Sequence, residues 1–323
     1  MKKSLAIILS ILMLASLFAL SGCGEEPGAA TLKFGSAVYV GAPTATDASA
    51  DAEGQGSVDV TVAAVSVDAD GKIVACALDT MQSAVKYTTD GRAIGNPEAK
   101  TKRELGNDYG MNKIGTKEWF EQIDALQSVI AGKTLDEVKA LVVEGKGNDE
   151  VATAGCTIYI TDYIAAIEKA YNAAAESNVT AADTLKVSAY TVQEIADASA
   201  DKDGSNKVSV YTFAAAVGAD SKIVAAASDC VEVDFAFDTA GKTKFDATKE
   251  IKSKKELGSN YGMTAIGKQE WYIQAAAFDS QCIGKTAAEI VGLMGNDGKG
   301  IESVQTAGCT IYVTGFVKAA SKI

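Results

Sequence analysis

The chain has 323 residues, a formal net charge of −12 and no histidine. Its acidity, with no basic run to offset it, excludes nucleic acid as a partner, because phosphate backbones bind positive surfaces. Without histidine, the usual general base of hydrolase triads and the commonest transition-metal ligand are missing. We therefore expect no catalytic residue and no metal site.

The N-terminus predicts secretion. Lys2 and Lys3 precede an apolar run over residues 5–20 that is short for a membrane-spanning helix. Its last residues, Leu, Ser, Gly and Cys23, resemble the lipobox of bacterial lipoproteins, whose cysteine is lipidated and becomes the first mature residue. We predict a signal peptide over 1–22, lipidation of Cys23 and a flexible tether over 23–30. An uncleaved anchor or plain secretion is the alternative. The lipid would hold the protein on the extracytoplasmic face of the cell membrane.

A long internal repeat follows. Residues 102–111 return with few changes at 254–263, and the run Thr-Ala-Gly-Cys-Thr-Ile-Tyr at 153–159 returns unchanged at 306–312. Repeats of this length indicate copies of one folding unit. We predict two domains, 31–176 and 184–323, and the stretch 172–183 would join them.

β-Branched residues predict a long hairpin near the start of each copy. In both copies an apolar, partly alternating strand is followed by a polar turn and a second apolar run, over 58–78 and 208–227. A shorter β-rich run near the end of each copy predicts one more strand, at 157–161 and 310–314.

Helices are predicted between and after these strands. Apolar residues recur at helical spacing from Trp119 and from Trp271. Thr134 and Thr286 then open capping boxes that start a second helix. A last helix closes each copy, over 163–175 and 316–320. The order of elements predicts an α+β fold in two tandem copies, each with helices packed on a mostly antiparallel sheet.

Two motifs that suggest nucleotide or metal binding are rejected. The Gly-Lys-Thr triplets at 132–134 and 284–286 lack the earlier glycine of a P-loop and follow a helix, so we interpret them as helix ends and N-caps. The stretch 201–206 lacks the glycine and glutamate of a calcium loop, which favours a polar turn. Only Cys156 and Cys309 match between the copies, so no shared disulfide framework is expected.

The Ala-Gly-Cys-Thr elements are the candidate binding residues. A turn of small residues lets backbone N–H groups approach an anion, and the threonine hydroxyl can bind or esterify a phosphate. A tight turn before a core strand, with threonine present for its β propensity, is the alternative. The residues concerned are Gly155, Cys156 and Thr157 in the first copy, and Gly308, Cys309 and Thr310 in the second.

Over nearly the whole of each copy, the chain resembles the FMN-binding domain found in flavin subunits of sodium-pumping quinone reductases and Rnf complexes, and in surface flavoproteins of Gram-positive bacteria. The likeness rests on the hairpin turn at 68–73, a Leu-Gly segment, the Gly-Lys-Thr triplet and the terminal Gly-x-Thr element. In that family a Ser-Gly-Ala-Thr element carries FMN, with its threonine esterified to the flavin phosphate. The resemblance implies FMN at both elements, with the Leu-Gly segments near the flavin: Leu105 and Gly106, and Leu257 and Gly258.

This chain departs from the family's element at three positions. The family's serine is alanine in both copies and its alanine is cysteine. The acidic residue usual six positions before the threonine is Val151 or Val304. We therefore expect non-covalent FMN rather than a threonine-linked ester.

The resemblance implies a membrane-anchored extracytoplasmic flavoprotein that relays electrons through FMN, with a redox partner in the membrane. Tyr109 and Tyr261 would wall the flavin ring. An electron carrier is expected rather than an enzyme with its own substrate. The alternative hypothesis is a redox-inactive surface lipoprotein that uses the repeated domain for ligand binding or attachment.

Overall fold

The computed structural model describes residues 30–96, 99–266 and 269–323. The predicted signal peptide, Cys23 and nearly all of the tether lie outside the described residues. Residues Thr31–Ile323 form one compact unit. Within the described ranges, no helix combines the length and apolar character that crossing a bilayer requires.

The strands fall into a first half, residues 31–176, and a second half, residues 184–323, and β8 extends from the end of the first half into the connection. They are β1 (Leu32–Val40), β2 (Thr44–Thr46), β3 (Gly54–Val67), β4 (Ile73–Tyr87), β5 (Ala93–Ile94), β6 (Val142–Val143), β7 (Lys146–Gly147), β8 (Ala175–Val179), β9 (Thr184–Ala196), β10 (Ser205–Val217) and β11 (Ile223–Asp234).

Corresponding helices occur in the same order in both halves. They are α1 (Lys102–Leu105), α2 (Trp119–Ile130), α3 (Leu135–Lys139), α4 (Asp149–Ala154) and α5 (Thr161–Asn172), then α6 (Lys254–Leu257), α7 (Trp271–Cys282), α8 (Ala287–Ile290), α9 (Glu302–Thr306) and α10 (Thr314–Ala320). Short 3₁₀ turns follow α1 and α6. The capping boxes at Thr134 and Thr286 are confirmed, because each threonine side chain accepts the N–H of the glutamate three residues later.

The strands form antiparallel sheets. One runs in the order β5-β4-β3-β1-β8, with β2 beside β3, and a second runs β11-β10-β9. Both predicted hairpins are confirmed and extend further than expected: β3 pairs with β4 from Gly54 to Val67, and β10 pairs with β11. Helices combined with antiparallel sheets confirm the predicted α+β class.

Each sheet has a helix face and an inner face, because successive side chains of a strand point to opposite sides. In β3, Val65 and Val67 belong to a core cluster with residues of α2 and α5. Val60, on the alternate face, belongs to a different cluster that also contains Val210 and Val233 of the second half. The layers are therefore helices, sheet, sheet and helices, and the two halves share the apolar layer between the sheets.

The halves contact each other reciprocally. The Ala48 N–H donates to the Gly241 carbonyl at 2.8 Å, and the Ala198 N–H donates to the Gly91 carbonyl at 2.8 Å. The rings of Tyr87 and Phe237 stack, with centroids 4.5 Å apart and planes 7° apart. Contacts exchanged in both directions are the pattern of a two-fold interface, here within one chain.

Two local predictions are wrong, and the joining stretch contains a strand that was not predicted. Residues 157–161 and 310–314 form no strand among the described residues; isolated bridges join Tyr159 to Lys146 and Tyr312 to Lys299, and helices α5 and α10 begin at once. The first closing helix ends at Asn172, not at residue 175. The stretch predicted as a linker contains β8, which pairs with β1. Pairing there satisfies backbone groups that an open strand edge would leave unbonded.

Candidate functional site

The first Ala-Gly-Cys-Thr element follows the short helix α4. Asn148 caps this helix by accepting the Val151 N–H at 3.2 Å. Gly155 ends it with φ +110°, a conformation that favours glycine. The chain then buries Cys156 and exposes Thr157. The second element has the same form after α9, with Gly308 at φ +113°, Cys309 buried and Thr310 exposed.

A glutamine holds each exposed threonine. Thr157 donates both its N–H (2.9 Å) and its hydroxyl (3.1 Å) to Oε1 of Gln122. Thr310 donates the same two groups to Oε1 of Gln274, both at 2.9 Å. Since each hydroxyl donates its proton, its lone pairs remain on an exposed oxygen. This threonine–glutamine pair is the polar arrangement that the two elements have in common.

The NH₂ group of each glutamine side chain also forms hydrogen bonds, and these orient the amide. Gln122 is 3% exposed, and its Nε2 donates to the Lys117 carbonyl at 3.2 Å and to Sδ of Met111 at 3.3 Å. Gln274 donates to the Gln269 carbonyl at 3.0 Å in the same way. With the donor side fixed, the oxygen of each amide must face its threonine.

The Leu-Gly segments lie at the ends of α1 and α6. Gly106 has φ 51° and ψ −122°, and Gly258 has φ 52° and ψ −128°, a region that residues with a Cβ rarely enter. Leu105 and Leu257 are half-buried. Within the described part of the chain, no hydrogen bond joins these residues to either threonine.

The two elements differ in the side chain that covers the glycine. A Cβ at Gly155 would clash with Nζ of Lys117, so the ammonium group lies directly over the glycine. At Gly308 the same place is taken by the amide of Gln269, whose Oε1 would lie 3.3 Å from a Cβ. Among the described residues, the group over the first glycine is therefore a cation and the group over the second is a neutral amide.

A buried carboxylate beside each element also differs. Glu118 is 2% exposed; its Oε2 accepts the Met111 N–H at 3.0 Å, and its Oε1 has no hydrogen-bond partner among the described residues. In the second half, Glu270 accepts the Met263 N–H at 3.2 Å and also the Thr264 hydroxyl. The first half thus retains one unused buried acceptor.

Tyr109 and Tyr261, expected to wall a flavin ring, pack against the cores of their own halves. Nζ of Lys102 lies 5.4 Å from the centroid of Tyr109, and Nζ of Lys254 lies 4.9 Å from that of Tyr261. Burial alone would lower the pKa of Lys102, but the neighbouring Tyr163, Tyr109 and Asp59 together raise it. One face of each tyrosine ring is therefore occupied by a charged lysine.

The cysteines of the two elements are unreactive. Burial raises the pKa of the Cys309 thiol to about 11 and that of Cys156 above its usual range. All five cysteines of the described residues are free thiols. Because the thiolate is the reactive form, neither element cysteine is a nucleophile near neutral pH.

The first element offers a phosphate group the Lys117 ammonium, which lies over Gly155 and can donate to a phosphate oxygen. The N–H groups of Gly155, Cys156 and Thr157 and the Thr157 hydroxyl already donate within the protein. Lys117 forms no ion pair with a carboxylate of the described residues. At the second element the described group over Gly308 is the Gln269 amide, and the N–H groups of residues 308–310 and the Thr310 hydroxyl again donate within the protein. Apart from the side chains of Lys117 and Gln269, the described residues of the two elements therefore leave no unused donor for a phosphate of FMN.

Comparison with known proteins adds no family to these observations. No protein-family model matches the chain, and no curated protein or solved structure matches it significantly.

Two shallow surface depressions, along residues 49–53 and 199–203, contain none of the predicted flavin residues.

Sequence reasoning missed the residues that organise the site, above all the two glutamines. Their signal was present, because Glu118, Trp119 and Gln122 recur as Glu-Trp-x-x-Gln at 270–274. The carboxylate, tryptophan and amide of that motif are all buried in both halves. A repeated polar residue on the buried side of a helix indicates a partner there, since buried amides are hydrogen-bonded.

Proposed function

We propose that the protein is a membrane-anchored extracytoplasmic flavoprotein that relays electrons through non-covalently bound FMN. The observation that carries this proposal is the threonine held by a buried glutamine, with its hydroxyl oxygen exposed, in both halves. It occurs on the residues where the resembling flavoprotein family binds FMN. Bound FMN would supply the redox chemistry.

The chain's own residues would bind and orient the cofactor. Lys117, over Gly155, would bind the phosphate, and the Thr157 hydroxyl would have to turn from Gln122 to donate to it. In the second half the Thr310 hydroxyl would have to turn from Gln274 in the same way. The buried thiols beside them stay protonated, so electron transfer would not pass through cysteine.

Removing both hydroxyls tests the proposed site. We expect Thr157→Val with Thr310→Val to weaken FMN binding by about tenfold or more, since each change deletes a polar contact to the phosphate region. The matched control is Thr153→Val with Thr306→Val, because these exposed threonines lie four residues earlier in both halves. Equal FMN affinity in both double variants would place the flavin elsewhere, and a wild-type protein that never binds FMN would leave the redox-inactive lipoprotein as the better hypothesis.

Anchoring at Cys23 is a separate part of the proposal, supported by the sequence that precedes it. Cys23→Ala should release mature protein from the membrane or leave the signal uncut, because the thiol that carries the lipid is lost. Membrane fractionation with immunoblotting distinguishes these outcomes from unchanged retention of a cleaved protein, which would contradict lipidation.

A further inference from the structure

The two large sheets differ at one edge. In the first half, β8 pairs with residues 32–34 at the start of β1. The corresponding residues of the repeat, 185–187, lie at the start of β9, and among the described residues β9 pairs with β10 alone. We propose that the outer edge of β9 at residues 185–187 is a docking site for an extended acidic segment of a partner protein, which adds there as a further strand. The inference does not depend on flavin binding.

The backbone of β9 presents free groups along this edge. Successive residues of a strand direct their N–H and C=O groups alternately toward one neighbour and toward the other. The Ala189 carbonyl accepts from Nζ of Lys322 at 2.8 Å, so Ala189 points away from β10. Val187 and Leu185 must point the same way, and no described residue hydrogen-bonds to their outward groups. An unpaired row of this kind is a template for another strand.

The first half shows which apolar surface an added strand would cover. Val179 of β8 is fully buried in a cluster with Leu32 and with Ala225 of β11, which lies against β8 across the layer. In the corresponding place opposite β9 lies β4, where Ala75 matches Ala225 in the repeat. Ala75 and Val187 are only partly buried against the same cluster. An apolar residue of an added strand would remove this surface from water.

Charge indicates which segment fits. In the first half, Lys33 lies directly opposite Glu176 of β8, and its Nζ lies 3.7 Å from the Glu176 Oε1. Lys186 occupies the corresponding place on β9, is exposed and forms no ion pair among the described side chains. Opposite charges that face each other across two strands stabilise the pairing. The segment that fits therefore carries an acidic residue opposite Lys186.

A second copy of the chain fits this edge less well. If two β9 strands paired antiparallel about Lys186, the two lysines would lie opposite each other, and like charges in that position are unfavourable. If they paired about Val187, Leu185 would face Ala189, whose carbonyl is already bonded to Lys322. Both arrangements lose a contact that an acidic segment makes.

Amide hydrogen exchange of the mature protein, followed by NMR, tests the inference. The probe is a synthetic peptide of residues 172–181, because it contains the β8 sequence. At millimolar concentration it should protect the Leu185 and Val187 amides. Lys186→Glu should weaken peptide binding by about fivefold, since it replaces an attraction by a repulsion at the surface. A peptide with Glu176→Lys should recover the affinity for that variant.

Lys33→Glu is the matched control, because it changes the same charge on the covered strand β1 and should leave peptide affinity unchanged. Val187→Pro removes one outward N–H, which an edge strand tolerates, and should abolish protection of Leu185. If that variant does not fold, Lys186→Glu still decides, since its side chain is exposed. Unprotected amides in wild type, or equal peptide affinity in Lys186→Glu, would overturn the inference. Protection that rises with protein concentration without peptide would also overturn it, because the occupant would then be a second copy.

Discussion

Each half buries one lysine beneath aromatic rings, but the two halves neutralise it from different strands. Nζ of Lys102 lies 3.6 Å from Asp59 on β3, and Nζ of Lys254 lies 2.9 Å from Glu232 on β11. Asp59 is paired across the sheet with Gln82, and Glu232 with Ser209. The carboxylate that pairs with the lysine thus lies on β3 in the first half, and on β11, which corresponds to β4, in the second half. The comparison teaches that this point of the fold requires a balanced charge, whichever strand supplies it.

The largest effect is expected from separating the halves. A fragment of residues 184–323 would expose the inner face of its sheet, where Val208, Val210, Val231 and Val233 pack with the first half. Because each buried valine contributes on the order of 1.5 kcal/mol, we expect the fragment to be protease-sensitive and not to unfold cooperatively. Limited proteolysis beside intact 31–323 measures this. A monomeric, cooperatively unfolding fragment would mean that each half folds alone, as the repeat by itself predicts.

Removing each carboxylate sharpens the comparison of the two lysines. Glu232→Gln should cost about 3 kcal/mol, because it leaves the buried Lys254 without its partner. Asp59→Asn should cost nearer 1 kcal/mol, since Asp59 is 41% exposed and lies farther from its lysine. Denaturant unfolding gives both values, and equal costs would show that burial does not set the difference.

Copying the second half's arrangement into the first tests the comparison directly. The double change Asp59→Asn with Gln82→Glu places the carboxylate on the strand that carries Glu232 in the other half. It should recover most of the stability lost in Asp59→Asn, because Lys102 regains a partner. Gln82→Glu alone is the control. If the double variant is no more stable than Asp59→Asn, the two strands are not interchangeable sources of charge.

Stability should depend on pH through Asp79, a buried aspartate of β4 that accepts the Arg103 N–H in α1. Burial raises the pKa of Asp79 to about 6, although its bonds from Thr101, Arg103 and Thr80 oppose this rise. The folded state then takes up a proton that the unfolded chain, with a pKa near 3.9, releases. The contribution of Asp79 is therefore fully present below pH 4 and falls by roughly 3 kcal/mol as pH rises through 6. Unfolding of Asp79→Asn at several pH values should lose this slope; an unchanged slope would exclude Asp79 as its source.

The smallest effect is expected at a feature that the halves share. Thr134→Ala and Thr286→Ala should each cost about 1 kcal/mol, because each removes an N-cap hydroxyl. Flavin binding should not change in either variant, as both caps belong to Gly-Lys-Thr triplets that we interpret as structural. A loss of FMN binding at unchanged stability would show that this interpretation is wrong.

Local patterns in the sequence predicted the hairpins, the helices from Trp119 and Trp271 and the two capping boxes, since their causes lie within a few residues. The strand β8 was missed because its partner β1 supplies the pairing from far along the chain. The runs after Thr157 and Thr310 are rich in β-branched residues but lead directly into helices, so tertiary context outweighed propensity.

Only part of the site could be predicted, again because some of its residues come from distant parts of the chain. A repeated Gly-Cys-Thr run identifies candidate residues, and the structure exposes its threonine in both halves. The lysine over Gly155 and the glutamine behind Thr157 come from another loop and another helix, and only their packing brings them to the element. The inner sheet face shared by the halves was likewise hidden, because alternation in a strand does not say which half covers it.

One absorbance spectrum tests the central claim most directly. The mature protein, purified natively from its membrane, should absorb in the blue, as bound flavin does. After acid precipitation the colour should appear in the supernatant, because the account predicts FMN held without a covalent bond. Colour that stays with the precipitate would contradict non-covalent binding, and a protein that remains colourless even after incubation with FMN would contradict the flavoprotein function itself.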